Sequence, residues 1–198
     1  MIRLKLLAAS LLFACSGWAI AQQPIVIKFS HIVANDTPKG LAAAYFKKKA
    51  EEYTKGRVRI EVYANSTLYK DKEEIDALQQ GKVQILAPSL AKFGPLGIKE
   101  FQIFDLPYLF GSYEQLHRIT EGRIGKEILA KLEPKGMRGL SYWDNGFKSF
   151  SANTSITQPA DLKGKKMRVQ PSKVLEAQMR ALGAVPEALM FSDVYHAL

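Results

Sequence analysis

Between residues 25 and 87 the chain keeps exchanging one hydrophobic period for another, and this alternation constrains its fold more than any other feature. Residues 25–29 form a β-branched run that reads as a strand. Asn35-Asp36-Thr37-Pro38 then offers cap candidates and a first-turn proline, and Ala42, Phe46, Ala50 and Tyr53 fall on one face of the helix that follows. Val58, Ile60 and Val62 alternate with Arg59 and Glu61, the period of a strand buried on one side. A second helix is expected over residues 71–80, with Ile75 and Leu78 inward and Gly81 as its stop, before a short apolar strand at 83–87. Strand, helix, strand, helix, strand is the grammar of a parallel sheet with helices on its faces, which sets the class as α/β. Ligands of such sheets bind beyond the carboxyl ends of the strands. The loops there are Ser30-His31-Ile32-Val33-Ala34 and Pro88-Ser89-Leu90-Ala91-Lys92.

The aromatic stretch Phe101-Gln102-Ile103-Phe104-Asp105-Leu106-Pro107-Tyr108-Leu109-Phe110 is expected to pack as a wedge of core beside a proline turn. Ser112 with Gln115 forms a capping-box pattern, Gly122 and Gly136 punctuate two helices between Tyr113 and Lys135, and residues 140–143 resume extended structure. After Trp143 the turn signal Asp144-Asn145-Gly146 marks a domain crossing, which divides the chain into lobes at 22–145 and 146–198. Met167-Arg168-Val169 reads as a strand, and Ser172 caps a helix with Leu175, Met179 and Leu182 on one stripe and Gly183 at its end. Ser192 is then expected to cap a helix over 193–198. So few elements follow the crossing that the second lobe is expected to be incomplete.

Residues 1–21 fit a secretory signal. Arg3 and Lys5 form a basic start, residues 6–14 an apolar stretch, and Ala19-Ile20-Ala21 a small-x-small cleavage site that places maturation at Gln22. The apolar run is shorter than the roughly 20 residues of a membrane span. Cys15, the only cysteine, lies inside this segment, so the mature chain is expected to hold no disulfide, thiol nucleophile or cysteine metal site. Leu12-Phe13-Ala14-Cys15 loosely resembles a lipoprotein cleavage box, but bulky Phe13 stands where a small residue is usual. Export is implied by either route. Without Arg3 and Lys5 the excess of basic over acidic residues falls from nine to seven. Lys47-Lys48-Lys49 and Lys163-Gly164-Lys165-Lys166 lack interleaved aromatics, which argues for solvated faces and against nucleic acid as a partner.

Catalytic patterns are absent: there is no HExxH, GxSxG, phosphate-binding P-loop or glycine-rich dinucleotide fingerprint. His31, His117 and His196 lack metal-type spacing, and no metal, cofactor or enzymatic activity is expected. Arg168 stands out because a guanidinium in an apolar strand must find an anion or be costly. That anion is either a structural carboxylate or the carboxylate of a ligand held by two parallel hydrogen bonds.

Six separated stretches, Lys28-Phe29-Ser30-His31, Leu68-Tyr69-Lys70-Asp71-Lys72-Glu73, Ala87-Pro88-Ser89-Leu90-Ala91-Lys92-Phe93, Phe104-Asp105-Leu106-Pro107, Tyr142-Trp143-Asp144-Asn145-Gly146-Phe147-Lys148 and Met167-Arg168-Val169-Gln170, together resemble the DctP family. These are periplasmic solute-binding proteins of tripartite ATP-independent periplasmic (TRAP) transporters. The resemblance implies a two-lobed periplasmic-binding-protein fold that closes on an organic acid, acts as a monomer and delivers its ligand to TRAP membrane subunits. It implies that Arg168 pairs with the ligand carboxylate and that Lys148 lines the same cleft. Ser89, Lys92, His31, Trp143 and Asn145 occupy loop positions that face the cleft in the family. The Trp-Asp-Asn-Gly-Phe-Lys version resembles the branch taking four-carbon dicarboxylates such as succinate, fumarate and malate, with Lys148 or Lys92 as the expected second anchor. Keto, aromatic or sialic acids are the alternative within the family. Members are longer than this chain, which implies either a fragment of a longer protein or a truncated gene product, the second lobe being incomplete in both cases and binding impaired or lost in the latter.

Overall fold

The computed structural model describes residues 23–197. The expected signal peptide, with Cys15 and the Ala19-Ile20-Ala21 site, lies outside the described residues. β1 (Ile25–Ser30) pairs in parallel with β2 (Val58–Tyr63) on one side and β3 (Ile85–Leu86) on the other, in the order β2-β1-β3. Ile27 stands opposite Ile60, and Phe29 opposite both Val62 and Ile85. The crossovers are α1 (Pro38–Tyr53) and α2 (Glu74–Gln79), so the alternation in the sequence is the topology of the first sheet. Two elements are shorter than expected. β3 has only two residues, and residues 71–73 form a turn ahead of α2.

Thr37 accepts the Gly40 amide through its side chain, with Pro38 at the first helical position, so α1 starts where the cap pattern requires. Gly40 is needed there: a Cβ would lie 2.3 Å from the Ala34 carbonyl oxygen, so the loop after β1 rests directly on the first turn of α1. Phe29, Ala43 and Ile60 are buried between sheet and helix, with Phe46 and Ala50 packed against them. Burial of each large apolar side chain there stabilises the fold by about 1.5–3 kcal/mol. Tyr53, expected on the inward face, is 74% exposed and lies 5.5 Å from the Lys49 ammonium at the solvent side.

A second core joins Ile75, Phe93, Phe101, Ile128, Leu132 and Met137. The aromatic wedge is only half realised. Phe101 is fully buried in the 3₁₀ helix Lys99–Asp105, but Leu106 leaves the helix for extended backbone, as a residue before proline prefers. Tyr108 beyond it is fully exposed at φ 59°. α3 (Tyr113–Thr120) begins at Ser112, whose Oγ accepts the Gln115 amide. The return bond of the capping box goes to the Gly111 amide, one residue early. α4 (Arg123–Ala130) follows. Residues 137–158 contain no helix or strand, so the stretches expected to be extended have no sheet partner among the described residues.

β4 (Lys166–Val169), α5 (Lys173–Ala181) and β5 (Val185–Ala188) form a second, parallel β-α-β unit over Leu162, Met167, Val169, Leu175 and Met179. β5 does not read as a strand in the sequence because Pro186 interrupts it. In the two-stranded sheet Pro186 faces Met167 on an edge, where a missing amide is tolerated. The last helix, α6, is Val194–Ala197. Ser192 donates to Asp193 instead of capping it. Among the described residues no helix is long and apolar enough to cross a membrane.

Candidate functional site

A cavity of about 200 Å³ opens where the loops after β1, β3 and β4 meet, at the carboxyl ends of those strands. This is below the roughly 300–1,000 Å³ of pockets for drug-sized molecules and favours a small ligand. Ser89, Lys92, Asn145 and Arg168 all line it, so four of the seven expected site residues converge.

Arg168 reaches the cavity because of the strand's two-residue period. Met167 and Val169 point into the core of the β-α-β unit, which sends Arg168 out of the other face. Its Nε and Nη2 donate to the Leu189 carbonyl oxygen, at 3.1 and 2.9 Å. The acceptor is a neutral carbonyl, fixed just beyond β5 by the Leu189 amide bonding Val169. No carboxylate lies within ion-pair distance of Arg168 among the described residues. Burial lowers the guanidinium pKa and Asp71 nearby acts in the opposite direction.

Neither lysine expected to meet a second carboxylate is free. The Lys92 ammonium donates to Glu74 Oε1 and to the Asp71 carbonyl oxygen, and it also lies against Asp71 Oδ1. Two of its three donors are thus used within the protein, and its charge is met by two carboxylates. The pairing follows from burial: Asp71 and Glu74 are 6% and 1% exposed, and two buried carboxylates require a cation. Burial still raises the Glu74 pKa, against the pull of Lys92. Lys148 is outside the cavity lining, with its Nζ 2.6 Å from Oδ1 of buried Asp105. Both ammonium groups expected as ligand anchors are thus paired with acids of the protein.

His31 and Trp143 are also outside the cavity lining. His31 is fully buried edge-on to Phe29, with no hydrogen bond to either ring nitrogen, and burial depresses its pKa. Its ring thus packs against the core on the side of Phe29. Trp143 packs against Phe29 and lines a larger cavity of about 420 Å³ between α1 and α3. Lys39 and Lys126 share its wall with Glu121 and Asp144, and it has no arginine to hold a carboxylate by two parallel hydrogen bonds.

His117 bonds Asp144 across the larger cavity, and this bond raises the His117 pKa. A histidine raised above its unfolded value of about 6.5 contributes stability fully below that pH and loses it as pH rises through the folded value. Asp144→Asn is expected to move the His117 titration midpoint down, as read from its imidazole NMR shifts. An unmoved midpoint would contradict the pairing.

Sequence reasoning missed three residues here. Gln170 Nε2 bonds Ser89 Oγ at 3.3 Å across the cavity, Asp71 accepts the Phe191 amide at 3.4 Å, and Lys39 lines both cavities. Lys39 carried a signal: it is a cation in the first turn of a helix that has no acid there, against the helix dipole.

Residues 29–198 match the family described as bacterial extracellular solute-binding protein, family 7 (DctP). A relative in Rhodobacter capsulatus, named C4-dicarboxylate-binding periplasmic protein DctP, is 63% identical over 96% of this chain and 57% of its own length. The chain thus spans less than two thirds of that relative. A TRAP periplasmic solute-binding protein of Pseudomonas aeruginosa PAO1, solved with bound L-malate, is 49% identical with a TM-score of 0.85, over 88% of this chain and 60% of that one. One from Sulfurospirillum deleyianum with bound succinate is 44% identical with a TM-score of 0.84, over 87% and 56%. On this match, which runs through both sheets and every residue of the small cavity, the chain belongs to the DctP family of bacterial extracellular solute-binding proteins.

Proposed function

We propose that the protein captures a small dicarboxylate of the succinate, fumarate or malate type in the cavity at Arg168 and passes it to the membrane subunits of a TRAP transporter. The observation that carries this reading is Arg168: a half-buried guanidinium that faces the cavity, bonds only a neutral carbonyl and has no carboxylate partner among the described residues. A ligand carboxylate in place of the Leu189 oxygen would give both bonds a charged acceptor and neutralise a half-buried guanidinium. Relatives named for four-carbon dicarboxylates, and neighbours solved with malate and succinate, support the same ligand class.

In this reading residues 22–145 form one lobe and 146–198 the start of the other, with Ser89 and Asn145 facing Arg168 and Gln170 across the cavity. The protein works as a monomer in the periplasm after cleavage near Ala21, binds its ligand without chemistry, and needs no cofactor.

A thermal melt with succinate, malate, a monocarboxylate, a keto acid and a sugar acid tests the reading. Ligand at a hundred times its dissociation constant contributes about 2.7 kcal/mol, a rise of about 5–10 °C for a chain of this size. Only the dicarboxylates should produce it. A rise with a different acid alone moves the ligand elsewhere in the family, and no rise with any acid overturns the proposal.

A further inference from the structure

We propose that Lys39 is the residue that makes the site selective for two carboxylates over one, by receiving the ligand's second carboxylate. This rests on the function proposed above and adds a specificity-determining residue to it. A ligand with two anionic ends needs two cationic contacts, and three cations line the cavity: Lys39, Lys92 and Arg168. Lys92 is already paired with two buried carboxylates, those of Asp71 and Glu74. Arg168 can hold one carboxylate on its Nε–Nη2 edge. Lys39 remains.

Its Nζ donates once, to the Ala87 carbonyl oxygen at 3.0 Å, which leaves two of its donors for a carboxylate. No carboxylate of the described residues lies within ion-pair distance of it, although Lys39 is partly buried. Burial pushes its pKa down, and Lys92 adds to this, while Glu74 and Asp71 pull the other way. An arriving carboxylate relieves both the burial of the charge and its unfavourable place in the first turn of α1. Two features hold the ammonium where it is. Thr37 caps α1 through the Gly40 amide, and the absence of a Cβ at Gly40 lets the loop after β1 close onto that turn. The Ala87 carbonyl at the end of β3 then tethers the side chain beside Ser89.

The test compares succinate with succinamate, which has the same length but an amide in place of one carboxylate. Dissociation constants are measured by calorimetry on the intact protein, Lys39→Gln and Lys39→Arg. Loss of one charge-assisted contact predicts that Lys39→Gln weakens succinate about 10- to 100-fold and leaves succinamate within about threefold, which collapses the selectivity. Lys39→Arg should keep most of the preference. The ligand-free melting temperature of Lys39→Gln should stay near that of the intact protein, because no protein carboxylate loses its partner. Equal weakening of both ligands would make Lys39 a structural residue and overturn the inference, as would an unchanged succinate affinity. If the unsubstituted protein binds neither ligand, the function proposed above falls first and this inference with it.

Discussion

Arg168→Ala is expected to lower succinate affinity by about 30-fold to a few thousand-fold while leaving the protein folded. The substitution removes the planar fork that meets a ligand carboxylate, and truncating one partner of a desolvated charge pair costs about 2–5 kcal/mol of binding. The stability cost is smaller, because in the ligand-free protein the guanidinium bonds only the Leu189 carbonyl. A hydrogen-bonded contact of a charged group is worth about 1.5–3 kcal/mol, or about 3–12 °C of melting temperature. Arg168→Lys should lose most of the affinity as well, since a point ammonium cannot reproduce two parallel bonds on one carboxylate. Calorimetry checks binding and circular dichroism checks the fold. Succinate affinity within threefold of the unsubstituted protein would rule out Arg168 as the anchor.

Lys92→Met should do the reverse, with its largest effect on stability. It strips the cation from Asp71 and Glu74, both buried, and an uncompensated buried charge costs about 3–5 kcal/mol, roughly 6–20 °C for a chain of this length. The loss should depend on pH with a definite sign. Glu74 already has its pKa raised by burial. A carboxylate raised above its unfolded value binds more protons folded than unfolded, so stability falls as pH climbs from the unfolded value through the folded one. Without Lys92 this window widens, and the variant should melt closer to the unsubstituted protein at pH 5 than at pH 8. A deficit equal at both pH values would mean that Glu74 is not the group left uncompensated.

The first sheet was legible because its signals are local. Val58, Ile60 and Val62 alternate, Thr37-Pro38 opens a helix, and each pattern survives packing unchanged. β5 was hidden because Pro186 argues against a strand, and only its position on an edge opposite Met167 makes it permissible. Arg168 announced itself as a charge between two apolar strand residues, yet its partner did not, because Leu189 is brought to it by the crossover through α5. The same distance explains the lysines. Lys92 and Lys148 could be placed near the cleft from the family resemblance, whereas their pairing with Glu74 and Asp105 joins segments far apart in the chain. Once those acids are counted, Lys39 is the second anchor we propose. The orientation of His31 was hidden for a related reason: a loop after a strand end can turn its side chain inward as readily as outward, and here Phe29 receives it.

The most direct test of a dicarboxylate site at Arg168 is a crystal structure of the protein with succinate. One carboxylate is predicted on the Arg168 Nε and Nη2 atoms in place of the Leu189 oxygen, and the other within hydrogen-bond distance of Lys39 Nζ. Succinate in the larger cavity beside Trp143, with Arg168 still bonded to Leu189, would contradict the account.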